Sequence, residues 1–276
     1  MKQPASRQTF AAEAKAPAEQ PAEATPDRDY VNSLARGLEV ISAFSRTKQR
    51  MTLSEMARAT GMTRATVRRL LLTLVKEGYA ATDGKHFRLR PKVLRLGYSA
   101  LSSMNIWDVA QPIMNDLSSR LQESCFAAVL DGLEVVYVAR ATSDRLVNIG
   151  IAVGSRGPVH AVSTGRVLLA ALPDEELQKT LDALEPQRYT PNTTVSKVQL
   201  RNLIEDARAK GWSIVDQELE IGLRSISVPI RTPQGEVVAA LNVCCPSARI
   251  SPEEMGTRIL AELLSASQAI TAGLQA

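Results

Sequence analysis

Met51-Thr52-Leu53-Ser54-Glu55-Met56-Ala57-Arg58-Ala59-Thr60-Gly61-Met62-Thr63-Arg64-Ala65-Thr66-Val67-Arg68-Arg69-Leu70 reads as two short helices broken by one glycine. Thr52 is a suitable N-cap, and Glu55 three residues on can return a bond to its amide, completing a capping box. Leu53, Met56 and Ala57 keep one face of that helix apolar, and Gly61 stands where a left-handed turn residue is wanted. Thr63 caps the second helix, in which Val67, Leu70, Leu71 and Leu74 recur at the spacing of a buried stripe. The opposite face carries Ala65, Arg68, Arg69, Thr73 and Lys76, with Arg64 at its edge in the first turn. This is how a helix-turn-helix is written. The N-terminal turns of such a second helix enter the major groove of duplex DNA, where arginine pairs with guanine O6 and N7. Arg64, Arg68 and Arg69 are therefore the expected reading residues, with Thr63 and Thr66 on phosphates or bases. A solvated charged face on an ordinary helix pair has the same periodicity.

Two features favour the DNA reading. After Lys76-Glu77-Gly78, the runs Tyr79–Thr82 and Lys85–Leu89 flank Asp83-Gly84, a strong hairpin signal. A basic hairpin directly after a reading helix suits contact with flanking phosphates through Lys85 and Arg88. Charge is also segregated. Residues 28–103 hold 15 Lys and Arg against 5 Asp and Glu, whereas residues 104–276 hold 15 against 20. A phosphate-binding module segregates charge in this way.

At 276 residues the chain has room for about two domains. Hydrophobic residues make up 45% and aromatics only 4%, so its cores should be aliphatic. No apolar run is long enough to cross a membrane, and the start lacks the layout of a signal peptide. Cys125, Cys244 and Cys245 have neither metal-ligand nor disulfide-framework spacing, which suits a reducing cytoplasm. His86 and His160 are the only histidines, so no metal site and no cofactor are expected. Ser163, His160, Asp216 and Cys125 are nominal catalytic ingredients, but no nucleophile elbow, phosphate loop or zinc signature accompanies them. No catalytic residues are assigned.

The expected organisation is α+β. Residues 1–28, rich in Ala, Pro, Glu and Gln, should form a disordered tail. Residues 29–90 form a winged helix-turn-helix domain that opens with a helix from about Ser33 to Phe44. Residues 91–104 form a linker helix, with Leu94, Tyr98 and Leu101 on one stripe that pairs either with a second subunit or with its own domain. Residues 105–276 form a GAF-like domain, with a hairpin around Asp131-Gly132, a strand over Val147–Val153, strands over Trp212–Asp216, Ser225–Arg231 and Glu236–Cys245, and helices between them.

In that second domain, strand alternation places Ser225 and Ser227 on one face, and likewise Asn242 and Cys244. Ile226, Val228, Leu241, Val243 and Cys245 point the other way. The small polar face is either solvated or lines a pocket under Ser163-Thr164-Gly165. Amides at the start of the helix near Thr164-Gly165-Arg166 would suit an anion. His160 is either a donor to a carboxylate or a structural loop histidine. Arg224 is either a cation for an acid or the partner of an acidic side chain, and Asp216, Glu218 and Glu220 are either acceptors or simply solvated.

The chain resembles the IclR family of bacterial transcriptional regulators. The resemblance rests on Ser33–Val40, Leu53–Ala57, Val153–Ala170, Gly211–Glu218, Gly222–Ile230 and Gly235–Val243. Within the family, Phe87–Tyr98 and Trp107–Pro112 look like the branch controlling the β-ketoadipate (pca) pathway of aromatic-acid breakdown. The resemblance implies a homodimer or dimer of dimers on a palindromic DNA site, with a small organic acid bound in the C-terminal domain. It favours the pocket, because corresponding family positions line the effector cavity. His160, Ser163, Thr164, Gly165, Asp216, Arg224, Ser225, Asn242 and Cys244 are the expected effector residues.

Overall fold

The computed structural model describes residues 30–45, 48–96, 106–143 and 149–274. The expected tail, and Tyr98 and Leu101 of the expected linker stripe, lie outside the described residues. The chain divides into two compact units between Val93 and Leu94.

The first unit contains α1 (Asn32–Ser42), β1 (Met51–Thr52), α2 (Leu53–Thr60), α3 (Arg64–Lys76), β2 (Ala80–Thr82) and β3 (His86–Leu89), followed by a 3-10 turn over Pro91–Val93. Thr52 and Glu55 form the capping box, and Gly61 ends α2 at φ 67°, a conformation that costs glycine little. The stripe Val67, Leu71 meets Val40, Met51, Met56 and Phe87 in one small core. The sheet order is β1-β3-β2. Thr82 pairs with Phe87, and the Asp83 amide bonds the His86 carbonyl, so Gly84 and Lys85 are the residues at the wing tip. The Asp83 carboxylate is what turns the chain, accepting the amides of Lys85 at 3.0 Å and His86 at 2.7 Å.

In the second unit, α4 (Ile106–Leu121) precedes the hairpin β4 (Ser124–Asp131) and β5 (Glu134–Ala141). The edge strand β6 (Arg156–Pro158) leads into α5 (Ser163–Ala170), α6 (Asp174–Ala183) and α7 (Lys197–Lys210). Three strands follow, β7 (Ser213–Asp216), β8 (Leu223–Arg231) and β9 (Val237–Pro246). The closing helix begins at Pro252, widens into π turns over Met255–Ile259 and continues as α8 (Leu260–Gly273). All six strands pair antiparallel in the order β6-β5-β4-β9-β8-β7.

Period-two alternation gives this sheet two apolar faces. Cys125, Ala127, Ile226, Val228, Leu241, Val243 and Cys245 pack against α4 and α8. Phe126, Ala128, Val135, Tyr137 and Cys244 pack against α5, α6 and α7. Of the strand expected over Val147–Val153, the described residues 149–153 run as a loop and turn instead. Gly154 takes φ 85°, bending the chain before β6, which is the strand that pairs with β5.

Candidate nucleic-acid interface and effector cavity

At the start of α3 the Thr63 hydroxyl accepts the Thr66 amide at 3.2 Å, and the two hydroxyls lie 3.0 Å apart. Arg64, Arg68 and Arg69 follow, all exposed, while Val67 and Leu71 are buried on the opposite face. Lys85 and Arg88 project from the wing and are exposed as well. Among the described residues, none of these five cations has a carboxylate within ion-pair distance. In the second unit Arg120, Arg156, Arg201, Arg208 and Arg258 each pair with Asp or Glu, whereas the exposed Arg188 and Arg231 bond backbone carbonyls. Unneutralised guanidinium groups beside the N-terminus of an exposed helix form a phosphate- and base-binding surface.

In the second unit a cavity of about 20 Å³ lies between the sheet and the segment entering α5, lined by Tyr137, Ile151, Ala161, Val162, Val215, Leu219, Leu223, Ser225 and Cys244. That is roughly the room for one water-sized sphere. Its walls are mainly aliphatic, and the Tyr137 ring packs edge-on against Phe126 with centroids 5.7 Å apart. The Ser163 hydroxyl donates to Ser225 at 2.9 Å and lies 2.7 Å from Ser227, a closed hydroxyl cluster in which β8 meets α5. The Asn242 amide donates to Cys244 Sγ at 3.1 Å. Asn242 Oδ1 is buried without a hydrogen-bond partner, while the buried Thr164 hydroxyl lies beside the Tyr137 hydroxyl. Val162, which precedes α5, offers no side-chain cap to its first amides.

Burial pushes the Cys244 thiol up to about 12. It raises the Tyr137 hydroxyl above its usual range, with Cys244 reinforcing the shift. Both groups stay neutral near pH 7.

Asp216 and Arg224 are not brought to the cavity. They pair with each other across β7 and β8, and Arg224 also donates to the Ser247 and Ile250 carbonyls on the α8 side of the sheet. The cause is alternation: Arg224 neighbours Ser225 on one strand, so the two side chains leave opposite faces. His160 is structural in this arrangement. Its Nε2–H donates to the Gln187 carbonyl at 3.0 Å and its ring stacks on Tyr189, leaving Nδ1 buried without a partner. Gly165 has a packing reason of its own, because a Cβ there would overlap the Val159 backbone.

Comparison with known proteins completes the picture. Residues 33–84 match the IclR helix-turn-helix domain, and residues 98–272 match the C-terminal domain of bacterial transcriptional regulators of the IclR type. The chain belongs to the IclR family. The Pca regulon regulatory protein of Pseudomonas putida is 44% identical over 245 residues, spanning 88% of this chain and 84% of that protein. The crystal structure of a transcriptional-regulator homologue from Rhodococcus sp. RHA1 has a TM-score of 0.79 at 48% identity, covering 89% of this chain and 99% of the other. An IclR homologue from Microbacterium hydrocarbonoxydans, solved in complex with 4-hydroxybenzoate, has a TM-score of 0.78 at 27% identity, covering 88% and 99%.

The architecture is therefore that of an IclR regulator, a winged helix-turn-helix followed by an α+β effector domain. Seven cavity-wall residues of this IclR chain were not anticipated from sequence: Tyr137, Ile151, Ala161, Val162, Val215, Leu219 and Leu223. Alternation along β5 would have placed Tyr137 beside Val135, while the register shift that follows turns Ala139 to the other face. The Leu219 turn and the Ile151 loop have no local pattern to mark them. Among the described residues no helix is long and apolar enough to cross a membrane, and no group of His, Cys, Asp and Glu could hold a metal.

Proposed function

We propose that this chain is a cytoplasmic, ligand-responsive transcription factor that controls aromatic-acid catabolic genes of the β-ketoadipate type, and that a small organic acid binds in the cavity beneath α5. The single observation that carries the reading is an apolar cavity walled by Ala161 and Val162, at the entry to α5, and by Ser225 and Cys244 of the small polar strand face. It stands in a chain 44% identical to a pca regulator. The acid's carboxylate would sit at the amides of Ser163, Thr164 and Gly165, its body against Leu219, Leu223 and Val215, and a second polar group near Ser225, Asn242 and Cys244. A cavity of about 20 Å³ is far below the several hundred Å³ of an occupied small-molecule site, so binding must be coupled to opening of its walls. The first unit would bind a palindromic promoter site as part of a homodimer or dimer of dimers. Arg64, Arg68, Arg69, Thr63 and Thr66 would lie in the major groove, and Lys85 and Arg88 on the flanking phosphates.

The deciding experiment is a thermal-shift panel of 4-hydroxybenzoate, protocatechuate and β-ketoadipate, since a ligand selective for the native state raises Tm by mass action. A selective shift by one of them that also alters promoter binding is the expected result. No shift from any, with a shift from an unrelated carboxylate, would reassign the pathway and leave the fold reading intact.

A further inference from the structure

One buried ion pair plays no part in that reading. Arg166, on α5, is 2% exposed, and its Nη2 group donates to both carboxylate oxygens of Glu218 at 2.7 Å. The same nitrogen donates to the His160 carbonyl at 3.2 Å. Glu218 is held from a third direction: its Oε2 accepts the Thr194 amide at 2.9 Å, and its backbone carbonyl accepts the Thr193 hydroxyl at 2.6 Å. The Thr190 hydroxyl bonds the neighbouring Gln217 carbonyl at 2.7 Å, and Gln217 adopts φ 57° in the turn that follows β7.

The consequence lies in what these segments wall. Ala161 and Val162, at the entry to α5, form one side of the cavity, while Leu219, next to Glu218, and Leu223 form another. Arg166 and Glu218 thus join two walls of the same cavity and moor both to residues 187–194. Burying such a pair is no route to stability for its own sake, because apolar side chains of similar volume usually do as well or better. What the pair supplies is a tether: one guanidinium nitrogen holds both Glu218 oxygens and the His160 carbonyl together in a buried site, where separating the charges is costly, whereas aliphatic side chains slide.

We propose that Arg166 and Glu218 are positioning residues that set the width of the cavity and hold it closed, an inference resting on the reading of that cavity as the acid site. Neither side chain touches the acid in this scheme. Their exchange for apolar partners leaves a folded unit whose walls are no longer pinned.

The thiols supply a test that needs no acid. Cys244 lines the cavity, whereas Cys125 lies on the opposite face of the sheet, and both are buried and free. In the full chain carrying Cys245→Ala, the two remaining thiols are labelled with a small disulfide reagent at pH 8 under native conditions and followed by mass spectrometry. Glu218→Gln is expected to speed labelling of Cys244 about ten-fold or more over Cys125. The double change Arg166→Met with Glu218→Leu is expected to do the same while keeping the thermal midpoint near that of the parent. Equal acceleration of both thiols, or no acceleration of Cys244 in the stable double variant, would overturn the proposal. The acid panel on the parent is scored separately. A parent that binds none of the acids undermines the effector reading, whereas the thiol result alone decides whether the pair pins the walls.

Discussion

Arg224 and Asp216 stand opposite each other on β8 and β7 and are joined by two N–H···O bonds of 2.8 and 3.0 Å, on the sheet face away from the cavity. The guanidinium is nearly buried and its remaining donors reach the Ser247 and Ile250 carbonyls, so it ties the end of β9 to the start of the C-terminal helix. Arg224→Met should lower stability by about 1–3 kcal/mol, less than for a fully buried pair because Asp216 is over a third exposed. Acid affinity measured on the folded protein should stay within about two-fold, as for separated sites. Calorimetric titration of the variant checks this, and a loss of acid binding without a loss of stability would return Arg224 to the site.

Gly165 answers to a different constraint. It is helical and ordinary in φ, but the Val159 backbone passes so close that even one methyl group must displace it. Gly165→Ala should cost about 1–3 kcal/mol through overpacking and push the first turn of α5 away from the segment that enters it. Because Ala161 and Val162 on that segment wall the cavity, the acid-induced rise in Tm should shrink or vanish in the same variant. Thermal melts with and without 4-hydroxybenzoate separate the two effects. An unaltered acid response in a destabilised variant would confine Gly165 to packing.

What was legible in the sequence is what is local. The capping box of Thr52 and Glu55, the left-handed Gly61 and the Val67–Leu71 stripe are each settled within one or two turns of chain, and all are found as read. The polar face of Ser225, Ser227, Asn242 and Cys244 was legible for the same reason, since a strand alternates strictly. That rule also applied to Arg224, whose charge drew it into the expected site although its neighbour Ser225 assigns it to the other face. The cavity walls were not legible, because Tyr137, Ile151 and Leu219 come from three segments that only the tertiary fold brings together. Arg166 and Glu218 are 52 residues apart. The one sequence trace of their pairing is a guanidinium set directly before the apolar run Val167-Leu168-Leu169.

The wing tip makes a prediction about pH. The His86 and Lys85 amides, in that order of weight, hold the Asp83 carboxyl down at about 2, from an ordinary value of 3.8. Arg50 lies 2.9 Å away from the same group. A carboxyl depressed in the folded state lends stability that is fully present above the unfolded value and is lost as pH falls through the folded one. The wing turn should therefore persist at pH 4 and loosen only as the pH approaches 2. A carboxyl-carbon NMR titration of Asp83 with a midpoint near 3.8 would contradict this.

The unpaired cations of the first unit should divide by what they touch. On the proposed docking, Arg68, exposed one turn into α3, would reach base edges, and Lys85 and Arg88 on the wing would reach only the DNA backbone. Arg68→Ala should therefore cost about 1–3 kcal/mol on promoter DNA and flatten the preference for it over scrambled sequence. Lys85→Ala should weaken both DNAs alike and reduce the slope of log affinity against log salt by about 1, since a complex that neutralises one phosphate fewer also releases one counterion fewer. Neither change should alter the thermal midpoint appreciably, because both side chains are exposed and without carboxylate partners. Fluorescence anisotropy on both DNAs between about 50 and 200 mM salt resolves the two patterns. If Arg68→Ala lowers affinity equally on both sequences, α3 grips the backbone in this chain and sequence is read elsewhere.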